Sequence, residues 1–268
     1  MEKYLKFISR DYLESYTSKC EVDWLDVFHK LKGKELFTIE DFEYYVIASS
    51  LYSSKIEGNT LDVNSFFRNR ENKNSAKKKE VQEIEELVIA YKFASENKLN
   101  RTNLLKAHGI LSETMLSAKA RGKVRKVQIG VRDAKTLRPI YVAVEPECVS
   151  SELSKLFADI SELLKRNMSY KEVFYNASMI HLWIALIHPF EDGNGRIARL
   201  AEKWFLFSKL GASAWSIQAE KYYWDNRPAY YQNIALGYNY YALHWERCLP
   251  FLLMLPEALK ETIFGSNH

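Results

Sequence analysis

His188-Pro189-Phe190-Glu191-Asp192-Gly193-Asn194-Gly195-Arg196-Ile197-Ala198-Arg199 is the stretch from which the rest of the chain can be read. Gly193 and Gly195 admit positive φ and carry no side chain, so backbone N–H groups can approach an anion closely there. From Asn194 onward the pattern is helical, with Leu200, Trp204 and Phe207 on one face and Gly211 placed to cap the end. The turn therefore opens a helix, whose first N–H groups and partial positive charge favour a di- or triphosphate. Arg196 and Arg199 are three apart and can reach the same phosphate chain.

Asp192 would be repelled by phosphates unless a cation came between. Mg2+ is the expected bridge, because it accepts one or two carboxylates and fills its other positions with water and phosphate. His188 ends the helix before the turn, and Pro189 biases it out of helical conformation so that the imidazole can project toward the loop. A near-neutral pKa suits it to deprotonate a hydroxyl nucleophile. A His-Pro pair alone is usually a helix stop and Gly-Asn-Gly alone a turn. Together and in this order, they read as a phosphate site with its own base.

These residues resemble the signature of the Fic (filamentation induced by cAMP) family, H-P-F-x-[DE]-G-N-G-R-x-x-R, at every fixed position. Ala177, His181 and Ile187 in the preceding helix resemble the family as well. The resemblance implies an all-α, Fic-like helical bundle with one short β-hairpin flap. It implies an enzyme that transfers AMP from ATP to a Ser, Thr or Tyr hydroxyl of a target protein and releases pyrophosphate. In that reading His188 is the general base and Asp192 holds Mg2+. Gly193, Asn194 and Gly195 form the anion hole, Arg196 and Arg199 bind the phosphate chain, and Phe190 belongs to the nucleotide loop. Transfer of this kind needs positioning and charge neutralisation more than covalent help from the protein.

Earlier in the chain, Ser53, Glu57 and Gly58 close a helix that begins near Thr38, where Thr38 and Asp41 can make a capping box. Read alone, Glu57-Gly58 is a helix end with a left-handed glycine. It also resembles the inhibitory motif of Fic proteins, [ST]-x-x-x-E-[GN]. Carried over, Glu57 pairs with Arg199 and blocks the terminal phosphate of ATP, which makes this the class restrained by an N-terminal helix. A guanidinium engaged by a carboxylate cannot also bind a γ-phosphate in its productive pose.

Val124, Val127, Ile129 and Val131, then Ile140-Tyr141-Val142 beyond a polar turn at 133–138, predict a short hairpin. It resembles the family's flap, which pairs its edge with an extended segment of the target. Where the family often has Gly-x-Tyr-Arg, this chain has Gly122-Lys123-Val124-Arg125 and lacks the aromatic contact. Downstream, Asn226 and Tyr230 resemble the residues that close the nucleotide pocket, an amide and a ring suited to adenine.

Composition frames these readings. A hydrophobic content of 47% is that of a folded, globular chain, and 38 basic against 34 acidic residues leave only +4, too little to argue for nucleic acid. Cys20, Cys148 and Cys248 are scattered and odd in number, which suggests a reducing compartment and no metal cluster. His29, His108, His181, His244 and His268 read as core, surface or terminal residues. No apolar run is long enough to cross a bilayer and none resembles a signal peptide, so a cytoplasmic protein without a membrane partner is expected. Fic relatives often dimerise, and a homodimer stays open.

The spacing predicts helices near 24–33, 38–55, 75–97, 102–118, 147–166, 170–187, 194–210, 226–237 and 242–261, the last broken at Pro250 or Pro256. A joint at 72–75 divides an N-terminal helical region, 1–74, carrying the inhibitory helix, from a catalytic core, 75–268. Two other classes of function remain open: a Fic-fold enzyme that moves another phosphate-linked group or removes AMP, and a non-catalytic ATP-sensing regulatory module. The intact Gly193-Asn194-Gly195 argues for AMP, because Doc relatives, which transfer phosphate, depart from it.

Overall fold

Two helices carry the architecture. The first, α7 (Tyr170–Ile187), is buried on nearly every side, from Val173 to Ile187. It starts at a capping box between Ser169 and Glu172 and ends at His188, which has φ 51° and ψ 60°. Pro189 disfavours a helical residue before it, so the chain leaves the helix through a left-handed turn. The second, α8 (Asn194–Leu210), begins after Gly193 at φ 77° and stops at Gly211 at φ 79°. Both helices match the bounds read from the sequence.

In the computed structural model residues 5–24, 38–72, 75–132 and 139–264 are described. Around the central pair lie α1 (Leu13–Lys19), α2 (Ile39–Ile56), α3 (Val63–Glu71), α4 (Lys78–Glu96), α5 (Arg101–Leu111) and α6 (Pro146–Lys165). After α8 come α9 (Ala219–Asp225), α10 (Arg227–Ile234) and α11 (Leu249–Phe264). One antiparallel pair, β1 (Gly130–Arg132) and β2 (Pro139–Val142), matches Val131 with Tyr141. The 238–240 segment lies along β2, where Val142 N–H donates to Tyr238 O at 2.9 Å and Tyr240 N–H to Val142 O at 3.0 Å. The class is all-α with one hairpin, as the sequence predicts. The predicted helix at 24–33, the turn at 133–138, part of the joint at 72–75 and the tail after 264 fall largely outside the described residues.

Several boundaries differ for identifiable reasons. The helix predicted to 118 stops at Leu111, because buried Glu86 accepts the Thr114 N–H at 3.0 Å and the Thr114 hydroxyl, drawing the chain aside. The helix predicted over 226–237 ends at Ile234, and the last helix starts at Leu249 rather than 242. Pro250 then occupies its first turn, where no N–H is needed, and the helix runs unbroken through Pro256 with Phe251, Leu252, Leu255 and Leu259 buried around it. α3 was not predicted, since its sequence is mostly polar and only Phe66 is buried; an Asp62–Ser65 capping box sets its start.

α2, with the predicted Thr38–Asp41 capping box, packs against α4, α8 and α9. Ser49 and Ser53 of α2 are four apart, as are Lys203 and Arg199 of α8, and the pairs meet in antiparallel order. Lys203 Nζ donates to Ser49 Oγ at 2.9 Å, to Ile217 O at 2.6 Å and to Glu220 at 2.7 Å, while Tyr91 O–H donates to Glu220 at 2.8 Å. Both charges are 1% exposed. Removing one partner of such a pair strands the other in the core. Lys203→Met should therefore cost about 3–5 kcal/mol in urea unfolding, and Lys203→Met combined with Glu220→Leu less than the single change. Equal losses would show that the pair is not coupled.

Candidate active site

The loop between α7 and α8 is closed by one side chain. Asn194 accepts the Phe190 N–H at 2.9 Å and donates to Phe190 O at 2.8 Å, so both ends of its amide brace a single residue. The Phe190 ring is fully buried and lies face to face on His108, with centroids 3.5 Å apart. Gly122 N–H donates to His108 Nδ1 at 3.1 Å, so the ring proton must sit on Nε2, which donates to Asp192 O at 2.9 Å. At Gly193 an added Cβ would press on Leu111, Met115 and this same imidazole.

Arg125 fixes the other side. Only 2% exposed, it donates through Nε to His188 O at 2.7 Å and through Nη2 to Val144 O at 2.6 Å, and its own N–H reaches Pro189 O at 3.0 Å. A cation at the C-terminus of α7 also complements the helix dipole. Tyr141 O–H donates to Leu186 O at 2.7 Å. Through these contacts the hairpin is fastened to the helix end that carries His188. Among the described residues no strand pairs with the outer edge of β1.

His188 Nδ1 lies 3.1 Å from Ala185 O. A carbonyl only accepts, so Nδ1 carries the proton and Nε2 keeps a lone pair. Burial lowers the pKa of this histidine, which favours the neutral, proton-accepting form at neutral pH. Asp192 is exposed; one carboxylate oxygen accepts the Gly193 N–H at 2.6 Å and the other is uncommitted. Among the described residues no cluster of three or more acidic, His or Cys side chains could cage a metal. A single open carboxylate beside a helix N-terminus fits an ion that takes its other ligands from phosphate and water.

Arg199, 1% exposed, uses every nitrogen. Nε donates to Ser53 Oγ at 2.9 Å, Nη2 to Ser53 O at 3.0 Å and to Glu57 at 2.7 Å, and Nη1 to the Tyr230 oxygen at 3.2 Å. The Glu57 carboxylate rests directly on Gly195, where a Cβ would collide with it. Burial works against ionisation of Glu57, but Arg199 and then Arg196 outweigh it and hold the pKa below the usual carboxylate range. Gly58 turns the chain away at φ 107°. Arg196 faces Glu83 at 3.6 Å and touches Met115, with Nε unpartnered.

His188, Asp192, Gly193, Asn194, Gly195, Arg196 and Arg199 thus converge with Ser53, Glu57 and Gly58, although α2 and α8 are far apart in sequence. Of the expected nucleotide contacts, stacking by Tyr230 needs correction, and the Phe190 and Asn226 side chains have partners within the protein. Phe190 lends the loop an anchor in the core and presents no ring to a ligand. Tyr230 is 2% exposed with its hydroxyl between Arg199 and His181, so it cannot stack on an adenine in this state. The Asn226 amide donates to Tyr222 O at 3.0 Å within its own helix end. The accessible ring near Glu57 is Tyr231, whose O–H donates to Ile56 O at 3.0 Å beneath the Arg227 guanidinium. His108, Arg125 and Glu83 were missed as site residues. Only Arg125 left a sequence trace, in the Gly-x-Val-Arg of the flap.

Residues 98–206 match the family model described as Fic/DOC family. Among solved structures the chain is similar to a Fic family protein from Desulfovibrio desulfuricans G20, with TM-score 0.76 and 18% identity over 98% of this chain and 76% of that one. It is also similar to a Fic domain containing signaling protein from Bacteroides thetaiotaomicron, with TM-score 0.67 and 19% identity over 89% and 94%. Fic-1 from C. elegans shares the fold with TM-score 0.59 and 18% identity over 95% and 70%. No curated protein matches the chain significantly. The helical fold is the one shared by these Fic structures. Within this chain it is residues 98–206, the stretch that carries the loop, that match as a Fic/DOC domain.

Burial drives the His108 pKa down to about 4, against an ordinary 6.5. The unfolded chain then takes up a proton near pH 6.5 that the folded one refuses, so this contribution is complete above 6.5 and is lost as pH falls through 4. The melting temperature of wild type should drop more steeply between pH 7 and pH 4.5 than that of His108→Gln. Parallel curves would show that His108 does not titrate in this way.

Proposed function

We propose that the protein is an adenylyltransferase that moves AMP from ATP to a Ser, Thr or Tyr hydroxyl of a target protein, and that Glu57 restrains it. The reading rests chiefly on one observation: the Glu57 carboxylate lies on Gly195 and Arg199, at the helix N-terminus that would otherwise receive a phosphate. A carboxylate there occupies an anion site, and the guanidinium it engages is removed from the terminal phosphate.

In the released state the phosphates lie across the N-terminus of α8, with Arg196 and Arg199 along the chain. Asp192 would hold Mg2+, which supplies neutralisation of phosphate charge. His188 Nε2 removes the proton from the acceptor hydroxyl, whose oxygen forms the new bond to the α-phosphorus. The bond from that phosphorus to the bridging oxygen breaks, and pyrophosphate leaves with the electron pair. The edge of β1 that no described strand pairs, fastened by Arg125 to the His188 carbonyl, offers an extended target segment a register relative to the base. Tyr231 is the ring better placed to meet the base of the nucleotide, in place of Tyr230.

Label transfer from ATP carrying radioactive α-phosphate into protein, including the enzyme itself, should rise about tenfold or more in Glu57→Gly, the scale of one charged hydrogen bond taken out of competition. In that background His188→Ala should lower the rate by about 10²–10⁴-fold. Equal labelling by wild type and Glu57→Gly would remove Glu57 from control, and label in the γ-phosphate alone would identify a different transferred group. The acid limb of kcat/KM for Glu57→Gly should fall below pH 6.5, because the histidine's pKa is depressed. A limb above 6.5 would exclude His188 as the titrating base.

A further inference from the structure

The buried Arg199 guanidinium has a second set of partners, on the side away from Glu57. Arg199 Nη1–H donates to the Tyr230 oxygen at 3.2 Å. The Tyr230 oxygen is 3.0 Å from His181 Nε2, and His181 Nδ1 is 3.0 Å from Glu202. Tyr223 lies 3.0 Å from the other oxygen of Glu202. A carboxylate only accepts, so His181 must carry its proton on Nδ1 and donate it there. In the neutral imidazole Nε2 is then an acceptor and takes the Tyr230 O–H, which leaves the Tyr230 oxygen free to accept from Arg199. Every proton in the chain points toward Glu202. His181, Glu202 and Tyr230 are all buried, and they come from α7, α8 and α10.

This arrangement answers a difficulty that the proposed function raises. Among the described residues Glu57 is the one carboxylate paired with Arg199. When Glu57 withdraws, a guanidinium with 1% exposure is left without its counter-ion, and such a charge is costly or else turns toward another partner. The relay to Glu202 is not displaced by that withdrawal. It supplies negative polarisation at Nη1, and successive hydrogen bonds of one direction strengthen each other.

We infer that Tyr230, His181 and Glu202 are positioning residues that hold Arg199 in its phosphate-binding pose once Glu57 has moved away. The inference rests on the reading of Arg199 as a ligand of the terminal phosphates. The relay touches no substrate atom and acts through Arg199 alone. Its signature is selective: it should matter for a ligand that reaches Arg199 and not for one that stops at the α-phosphate.

The experiment is calorimetric titration of the full chain, in the Glu57→Gly background, with MgATP and with AMP. Tyr230→Phe should weaken ATP binding about five- to tenfold and leave AMP within about twofold, the scale of one ordinary hydrogen bond. Glu202→Gln, which keeps the shape of the relay and removes its charge, should show the same selectivity with a loss of about threefold, and it carries the test if Tyr230→Phe does not fold. Unchanged ATP affinity in these variants, or equal weakening of ATP and AMP, overturns the inference. Arg199→Ala in the same background separates the two readings. If it leaves ATP affinity intact, the phosphate role of Arg199 fails; if it weakens ATP while Tyr230→Phe and Glu202→Gln do not, only the relay fails.

Discussion

A guanidinium has been put where water cannot reach it, and much of the structure is arranged around that fact. Arg199 sits in the first turns of a helix whose dipole already repels a cation, beneath a loop of backbone donors. Such a charge persists only if every donor finds an acceptor. The acceptors come from Ser53 and Glu57 on α2 and from Tyr230 on α10. Burial opposes the charge on Arg199, yet Tyr230 and Glu57 outweigh it and raise the pKa above the ordinary arginine value. The same constraint explains why α2 is tied to α8 at more than one level. Lys203, one turn further along, repeats the pattern with Ser49 and Glu220.

Around this charge the loop is held by groups that do no chemistry. Asn194 staples its two ends, His108 carries the weight of Phe190 and the Asp192 carbonyl, and Arg125 gathers carbonyls from the helix end and the flap. Asn194 and His108 each have a donor and an acceptor committed, which fixes the His108 tautomer as well as both positions. His188 gains its free lone pair in that way, from a local bond to Ala185. Pre-arranged donors and acceptors of this kind lower the cost of reorganisation when charge develops in a phosphoryl transfer.

Legibility in the sequence followed locality. The α7–turn–α8 unit was readable to the residue because each boundary is set by neighbours: the Ser169–Glu172 box, the residue before Pro189, Gly193 and Gly211. Glu57 was readable through a motif, and its contact with Arg199 has the partner expected. Elsewhere tertiary contacts override local preference. Glu86 ended α5 early, Pro256 was absorbed by a packed helix, and the polar α3 gave no periodicity. Tyr230 resembles an adenine-stacking ring in the sequence and is buried in the fold, since aromatic spacing alone does not distinguish a stacking platform from a core tyrosine.

By itself the sequence determined the chemical kit: an imidazole, a carboxylate, glycines and two arginines in a fixed order, because these act through backbone geometry that neighbours along the chain impose. Only the tertiary structure decided which groups share Arg199, that His108 stacks on Phe190, and that His181 bonds Tyr230 and Glu202. Those choices depend on helices that meet from distant parts of the chain. Such meetings are set by how apolar surface is buried, and no local pattern records them.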